Sequence, residues 1–246
     1  MTPARPRPGS DALRETLAYY RDLGVAELYL APSFTFEENA PYPAAAKPTG
    51  NALALDLKSL AEKVSSCVTC RLCKTRKQTV FADGSPGARI MFVGEAPGAD
   101  EDAQGVPFVG RAGQLLTRMI EDGMGLPRSS VYIANVLKCR PPDNRNPEPD
   151  EIAACRGYLE RQIDLVKPEV LVALGKFAAH FLLETEEGIT RLRGKWGSYR
   201  GIPVMPTLHP SYLLRQPAQK KEAWADLLAV LGRLGIEAPA RKGKTS

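Results

Sequence analysis

Histidine is scarce in this sequence: His180 and His209 are the only two in 246 residues. A metal centre built on three imidazoles is therefore excluded. No apolar run approaches the roughly 20 residues of a membrane-spanning helix. The opening stretch MTPARPRPGSDALRE lacks the hydrophobic segment of a secretory signal, so a cytoplasmic protein is expected. In that setting the five cysteines are not expected to pair as disulfides. Internal repeats are absent, and a monomer is expected. The formal net charge is only +5, and residues 61–246 carry the positive excess. That excess fits contact with a polyanion but does not by itself identify one.

What is present divides the chain in three. Residues 1–9 are rich in Pro and Arg, a composition of disorder. SDALRETLAYYRDLGV then reads as a helix, with Ser10 or Asp11 as cap, Leu13, Leu17 and Tyr20 at helical spacing, and Gly24 as terminator. APSFTFEENAPYPAAAKPTG carries four prolines and no periodicity, as a linker does. Residues 1–50 are thus expected to be an N-terminal extension, 51–236 the main domain and 237–246 a disordered tail. Within the main domain a helix, LALDLKSLAEKVSSC, leads to the first cysteines. Strands then alternate with helices. RIMFVG, SVYIANVLKC, EVLVALG and IPVMPTLHP are the strand segments, and AGQLLTRMIEDGMG, PEPDEIAACRGYLERQIDLVKP, KFAAHFLLET and KKEAWADLLAVLGRLG hold the helices. The pattern predicts an α/β fold with a central, mostly parallel four-stranded sheet covered on both faces.

In such sheets ligands bind beyond the carboxyl ends of the strands. Four segments therefore converge: GEAPGADED, NVLKCRPPDNR, GKF and TLHPSYLLR. The first belongs to VGEAPGADEDAQGVPFVGRAG, which has five glycines, two prolines, four carboxylates and one Phe. Glycines and prolines let backbone amides approach a ligand closely, and Phe108 offers a stacking face. Asn135 has the donors and the acceptor to read a pyrimidine edge. His209, on a Pro-bounded loop, is placed to stabilise charge on a leaving base. The carboxylates can position a water or stabilise a sugar cation. SYLLR adds an apolar wedge beside a positive charge, as prising a base from a stack requires. Together these parts fit cleavage of an N-glycosidic bond in a flipped nucleotide.

Cys67 and Cys70 form a C-x-x-C pair amid Arg71, Lys74, Arg76 and Lys77. Cys139 follows a strand, and Cys155 lies on the next helix. Four thiolates from two separated segments can hold zinc or an iron–sulfur cluster. Structural zinc usually takes two close pairs. Here fifteen residues separate the second pair, which leans toward a cluster. Cys73 reads as a small buried apolar residue.

GEAPGADEDAQGVPFVGRAG, NVLKCRPPDNR and HPSYLLR, with the four cysteines, resemble the iron–sulfur type (family 4) of uracil-DNA glycosylase over about Val64 to Leu234. The resemblance implies a three-layer α/β/α fold and a structural [4Fe–4S] cluster on Cys67, Cys70, Cys139 and Cys155. It implies that Gly94, Glu95, Ala96 and Phe108 hold uracil, that Asn135 reads its edge, and that His209 donates near its O2. Glu95 and Glu101 are the candidates for catalytic carboxylates. Leu213 would be the wedge, supported by Leu214 and Arg215. The expected activity is monofunctional excision of uracil from DNA, the opening step of base-excision repair. Iron-free uracil glycosylases carry a water-activating Asp where this chain has Ala96, which leaves the base unassigned. KCRPPDNRNPEP holds no His of the kind that captures uracil covalently in a related subclass.

Two other classes compete. An iron–sulfur DNA-binding or redox-sensing module explains the cysteines and the basic charge, but not the convergence of Phe108, Asn135 and His209. A metal-dependent nuclease would use Glu95, Asp100, Glu101 and Asp102, yet no partner acids come from the later strand ends.

Overall fold

The structure, a computed structural model, describes residues 50–239. The expected N-terminal helix, nearly all of the linker and residues 240–246 lie outside the described residues.

Helix α1 (Gly50–Ser65) opens the main domain. The sheet is formed by β1 (Asp83–Gly84), β2 (Ile90–Gly94), β3 (Tyr132–Asn135), β4 (Val170–Leu174), β5 (Gly197–Tyr199) and β6 (Ile202–Thr207). Their order is β1-β3-β2-β4-β6-β5. The inner four run parallel, as the alternation of strands and helices predicts. The sheet has six strands rather than four, because β1 and β5 add short antiparallel edges. Neither edge carries an apolar run, so pairing alone defines them.

β2 and β4 are buried along their whole length, which is why their sequences are continuously apolar. Their side chains still alternate between two cores. Met91 and Val93 point to one side with Leu57 of α1, with Leu159 and Ile163 of α4 (Pro149–Val166), and with Leu182 of α5 (Lys176–Leu183). Ile90 and Phe92 point to the other, against Leu116 of α3 (Arg111–Arg118) and Leu227 and Val230 of α8 (Lys220–Arg233). These two cores make the three-layer α/β/α fold.

Three further helices are short: α2 (Ala99–Gln104), α6 (Ile189–Leu192) and α7 (Pro210–Arg215). Beyond α3 the helical course loosens into a π turn, Met119–Gly123. β2 is followed by α2 and α3 before β3 on one side, whereas β4 lies on the other side of β2. Chain direction across the sheet therefore reverses beside β2, and a crevice opens there at the carboxyl edge. At the far end of β6, Thr207 Oγ1 donates to buried Asp226 of α8 (2.7 Å), which also takes the guanidinium of Arg193. That network fastens the strand leading to His209. No helix among the described residues is long and apolar enough to cross a membrane.

Candidate active site

A cleft of about 350 Å³ lies at the carboxyl edge of the sheet. Glu95, Ala96, Phe108, Asn135, His209 and Arg215 line it, with Glu101 and Arg145. Gly94, at the end of β2, is not itself a lining residue, but it makes room for two that are: a Cβ there would lie 2.7 Å from a Phe108 ring carbon and collide with Asn135 Oδ1.

Phe108 is buried and takes a left-handed backbone, φ 55°. Few bulky residues adopt that conformation, and it persists only where the surroundings enforce it. The enforcing contacts are visible. Glu101 Oε1 accepts the N–H groups of Val109 (3.0 Å) and Gly110 (2.9 Å), directly after the ring. Its Oε2 accepts the N–H of Gly98 (3.1 Å), at the head of α2. Arg128 Nη2 donates to Pro107 O (2.8 Å), directly before the ring. Gly113 leaves room for the Phe108 backbone, against which any Cβ would clash. The Phe108 and His209 rings stand 5.7 Å apart, tilted by 35°.

Asn135 ends β3 and is 2% exposed. Its Oδ1 is the only buried side-chain polar atom without a hydrogen-bond partner among the described residues. Such an atom costs about 1–3 kcal/mol when left unmet, so it marks a place where a ligand supplies the missing donor.

His209 caps α7, and its Nδ1 accepts the N–H of Ser211 (3.1 Å). That bond puts the ring proton of the neutral imidazole on Nε2. Desolvation, assisted by the nearby Arg215 charge, pulls the imidazole down to about 4. His209 is thus a neutral donor at physiological pH. Gly175, at φ 85°, is what admits it: a Cβ there would lie 2.9 Å from His209 Cβ. Burial pushes the Glu95 carboxyl above its ordinary range.

Two expectations are corrected in detail. Leu213 is wholly buried, packed with Leu115, Leu208 and Ala223, so it presents no wedge in this arrangement. Its neighbours Tyr212 and Leu214 are the partly exposed apolar side chains of α7, with Arg215 exposed beyond them. The nuclease alternative also loses two of its four acids. Asp102 is buried and accepts the N–H of Lys77 (3.0 Å), while Glu101 is spent on backbone amides. Sequence reasoning assigned no role to Arg145, Asn144, Ser211 or Gly175. All four lie in the segments that converge at the carboxyl edge of the sheet, and a Gly after a strand was the available signal for Gly175.

A second cavity lies behind the cleft, walled by Cys67, Cys70, Cys139 and Cys155 together with Arg76 and Lys138. The sulfurs have donors. Arg76 Nη1 reaches Cys139 Sγ (3.1 Å), and Lys138 N–H reaches Cys155 Sγ (3.3 Å). Cys67 Sγ contacts Thr69 Oγ1 at 3.3 Å. Desolvation lifts the Cys155 thiol to about 11, although the neighbouring Lys138 opposes the rise. Cys73 sits half-buried on the 3-10 turn Arg71–Lys74 and is not part of the cavity wall. Among the described residues, no three His, Cys, Asp or Glu side chains converge closely enough for a single metal ion.

The sequence matches the family described as "Uracil DNA glycosylase superfamily" over residues 81–228. It is 47% identical over 175 residues to a type-4 uracil-DNA glycosylase of Sulfurisphaera tokodaii, covering 67% of this chain and 79% of that protein. The type-4 enzyme of Thermotoga maritima is 47% identical over 163 residues, 65% of this chain and 83% of the relative. That of Archaeoglobus fulgidus is 42% identical over 193 residues, 74% of this chain and 96% of the relative. The chain belongs to the uracil-DNA glycosylase superfamily and stands with its type-4 members.

Proposed function

We propose that the protein excises uracil from DNA by hydrolysing the N-glycosidic bond of a flipped deoxyuridine, acting as a monomer. The observation that carries this reading is the orphaned Oδ1 of Asn135, buried in a cleft with a stacking ring and a neutral imidazole donor. Uracil supplies what that atom lacks, an N3–H donor. The adjacent O4 accepts from the Asn135 amide nitrogen. Cytosine offers no N–H at the matching position, so the same amide rejects it.

With the base stacked on Phe108, the C1′–N1 bond breaks and its electron pair leaves with uracil. The charge spreads to O2, where His209 Nε2–H donates to it. A neutral donor suits this task, because an imidazolium would hand over its proton rather than hold the charge. Water adds to C1′ and releases a proton, giving free uracil and an abasic sugar. We assign Glu95 to that water and to the sugar cation, because it lines the cleft while Glu101 is held by three backbone N–H groups. Glu101 holds the Phe108 loop in place. Among the described residues no lysine lines the cleft, so a Schiff base and strand nicking are not expected. Leu214, with Tyr212 and Arg215, replaces Leu213 as the candidate wedge.

The cysteine cavity fits a [4Fe–4S] cluster held by Cys67, Cys70, Cys139 and Cys155. Four cysteines line one cavity, two of them buried, and the sulfurs of Cys139 and Cys155 take N–H groups, as cluster-ligating sulfurs do. When bound, the cluster supplies cross-links between the α1 exit, the β3 exit and α4.

The test is a labelled oligonucleotide with one deoxyuridine, incubated with protein in EDTA and then split with and without hot alkali. Strand cleavage only after alkali is the expected result. Absence of an alkali-labile product from folded, brown protein would remove the reading. A dependence on added Mg²⁺ would point to a nuclease.

A further inference from the structure

Resting on that reading, we propose that Lys138 is a positioning residue for base recognition, acting through the main-chain carbonyl of Asn135. Lys138 is 1% exposed, and its ammonium donates to Asn135 O (2.8 Å) and to Gln162 Oε1 (2.5 Å). Gln162 is itself buried and cannot turn over. Its Nε2 donates to Phe81 O and to the Tyr132 hydroxyl, both at 3.1 Å. Phe81 O is an acceptor only, so Oε1 must face the ammonium.

The need for this ammonium follows from the sheet. On one side of β3, Val136 and Leu137 donate to Gly94 O and Glu95 O (both 3.0 Å), continuing the ladder past β2. On the other side β1 pairs only with Tyr132 and Ile133. The carbonyl of Asn135 therefore lies beyond the end of the edge strand, inside the protein, and among the described residues no backbone donor meets it. Lys138 folds back three residues and meets it. Without the ammonium, that peptide, held on its other edge by the Val136 N–H bond to Gly94 O, would rotate about that bond toward a donor, because an unmet buried carbonyl is costly. The rotating unit carries the Asn135 amide with it. A purely structural defect elsewhere would not single out the residue that reads the base.

Lys138 is also shared with the cysteine cavity. It lines that space, its N–H donates to Cys155 Sγ, and Cys139 follows it in the chain. The same residue thus fixes one end of the cavity and the reading edge of the cleft.

The experiment compares wild type with Lys138→Met, which keeps the side chain's length and removes its donors, and with Gln162→Met, which removes the ammonium's second acceptor away from the cavity wall. Three readouts are taken on brown protein of matched absorbance: single-turnover uracil release, inhibition by free uracil, and affinity for a duplex with an abasic site. Lys138→Met is expected to slow release about 10- to 30-fold and weaken uracil inhibition about 10-fold, the cost of one misplaced buried hydrogen bond. Abasic-duplex affinity is expected to hold within about twofold, since no base engages Asn135 there. Gln162→Met is expected to move the same two readouts by about threefold. If release and uracil inhibition match wild type in Lys138→Met, the assignment fails. It fails equally if abasic-duplex binding falls in step with them, which marks general loosening. Where Lys138→Met does not accumulate as brown protein, Gln162→Met decides by the same criteria. Wild-type protein that releases no uracil overturns the activity itself, and the Lys138 assignment with it.

Discussion

The cleft and the cysteine cavity are built from the same stretch of chain and obey opposite rules. Asn135 and Cys139 stand only four positions apart. In the cleft a buried acceptor is left unmet, an aromatic residue is held in an uncomfortable backbone, and a histidine is stripped of its charge. In the cavity the sulfurs of Cys139 and Cys155 already have N–H donors. An unmet atom suits a ligand that arrives and leaves. Sulfurs that are already met suit a group that stays.

The sharpest way to break this contrast is to remove a permanent tie. Cys155→Ser should abolish the brown chromophore and most soluble protein, read by absorbance and sedimentation, with loss of the folded domain rather than of a rate. A soluble, colourless variant with unchanged melting would erase the distinction. Next comes His209→Ala. Release should fall about 10²–10³-fold, the usual cost of one charge-stabilising donor, with colour and melting unchanged. Asn135→Ala should slow release about 10- to 100-fold yet leave the fold as stable or more so, by up to about 1–3 kcal/mol in urea, because the orphaned acceptor is gone. That opposition of rate and stability is what an acceptor reserved for a ligand predicts, and parallel losses would contradict it.

Glu101→Gln should cost less, about 10-fold in release, because its amide keeps one acceptor oxygen for the three backbone N–H groups. The mildest expectation is an effect that does not occur. The folded-state value for His209 lies below its ordinary one, at about 4 against 6.5. The unfolded chain therefore takes up this proton first as pH falls. The corresponding stability is complete above about 6.5 and is lost as pH drops toward 4. Release should show no His209 limb between pH 5.5 and 8. Proton–nitrogen NMR, simple with two histidines, should show His209 protonated on Nε2 alone throughout that range.

The parallel centre of the fold was legible because IMFVG and VLVAL are too apolar to be anything but buried. The edges were not, since Asp83–Gly84 and Gly197–Tyr199 acquire strand geometry only from their neighbours. In the cleft, Phe108, Asn135 and His209 were legible from their position at strand exits, and all three line one cavity. Leu213 was misjudged for a definable reason. Three apolar residues in a row, Tyr212 to Leu214, do not reveal which side of a short helix faces inward. Only the cap at His209 sets that phase. Glu101 carried a readable clue, an acid three residues past Gly98 in the first turn of a short helix, where its carboxylate can reach back to the Gly98 N–H. Lys138 carried another, a lone charge in the apolar run ANVLKC.

The left-handed backbone of Phe108 has a consequence for how this sequence can drift. Residues comfortable at φ 55°, glycine and asparagine, have no ring to offer. Residues that offer a ring gain nothing in comfort. The position is caught between two demands that phenylalanine does not meet together, so selection for a sturdier fold and selection for a working enzyme pull it in opposite directions. Variants chosen only for heat resistance should therefore replace this phenylalanine early and lose their chemistry in doing so.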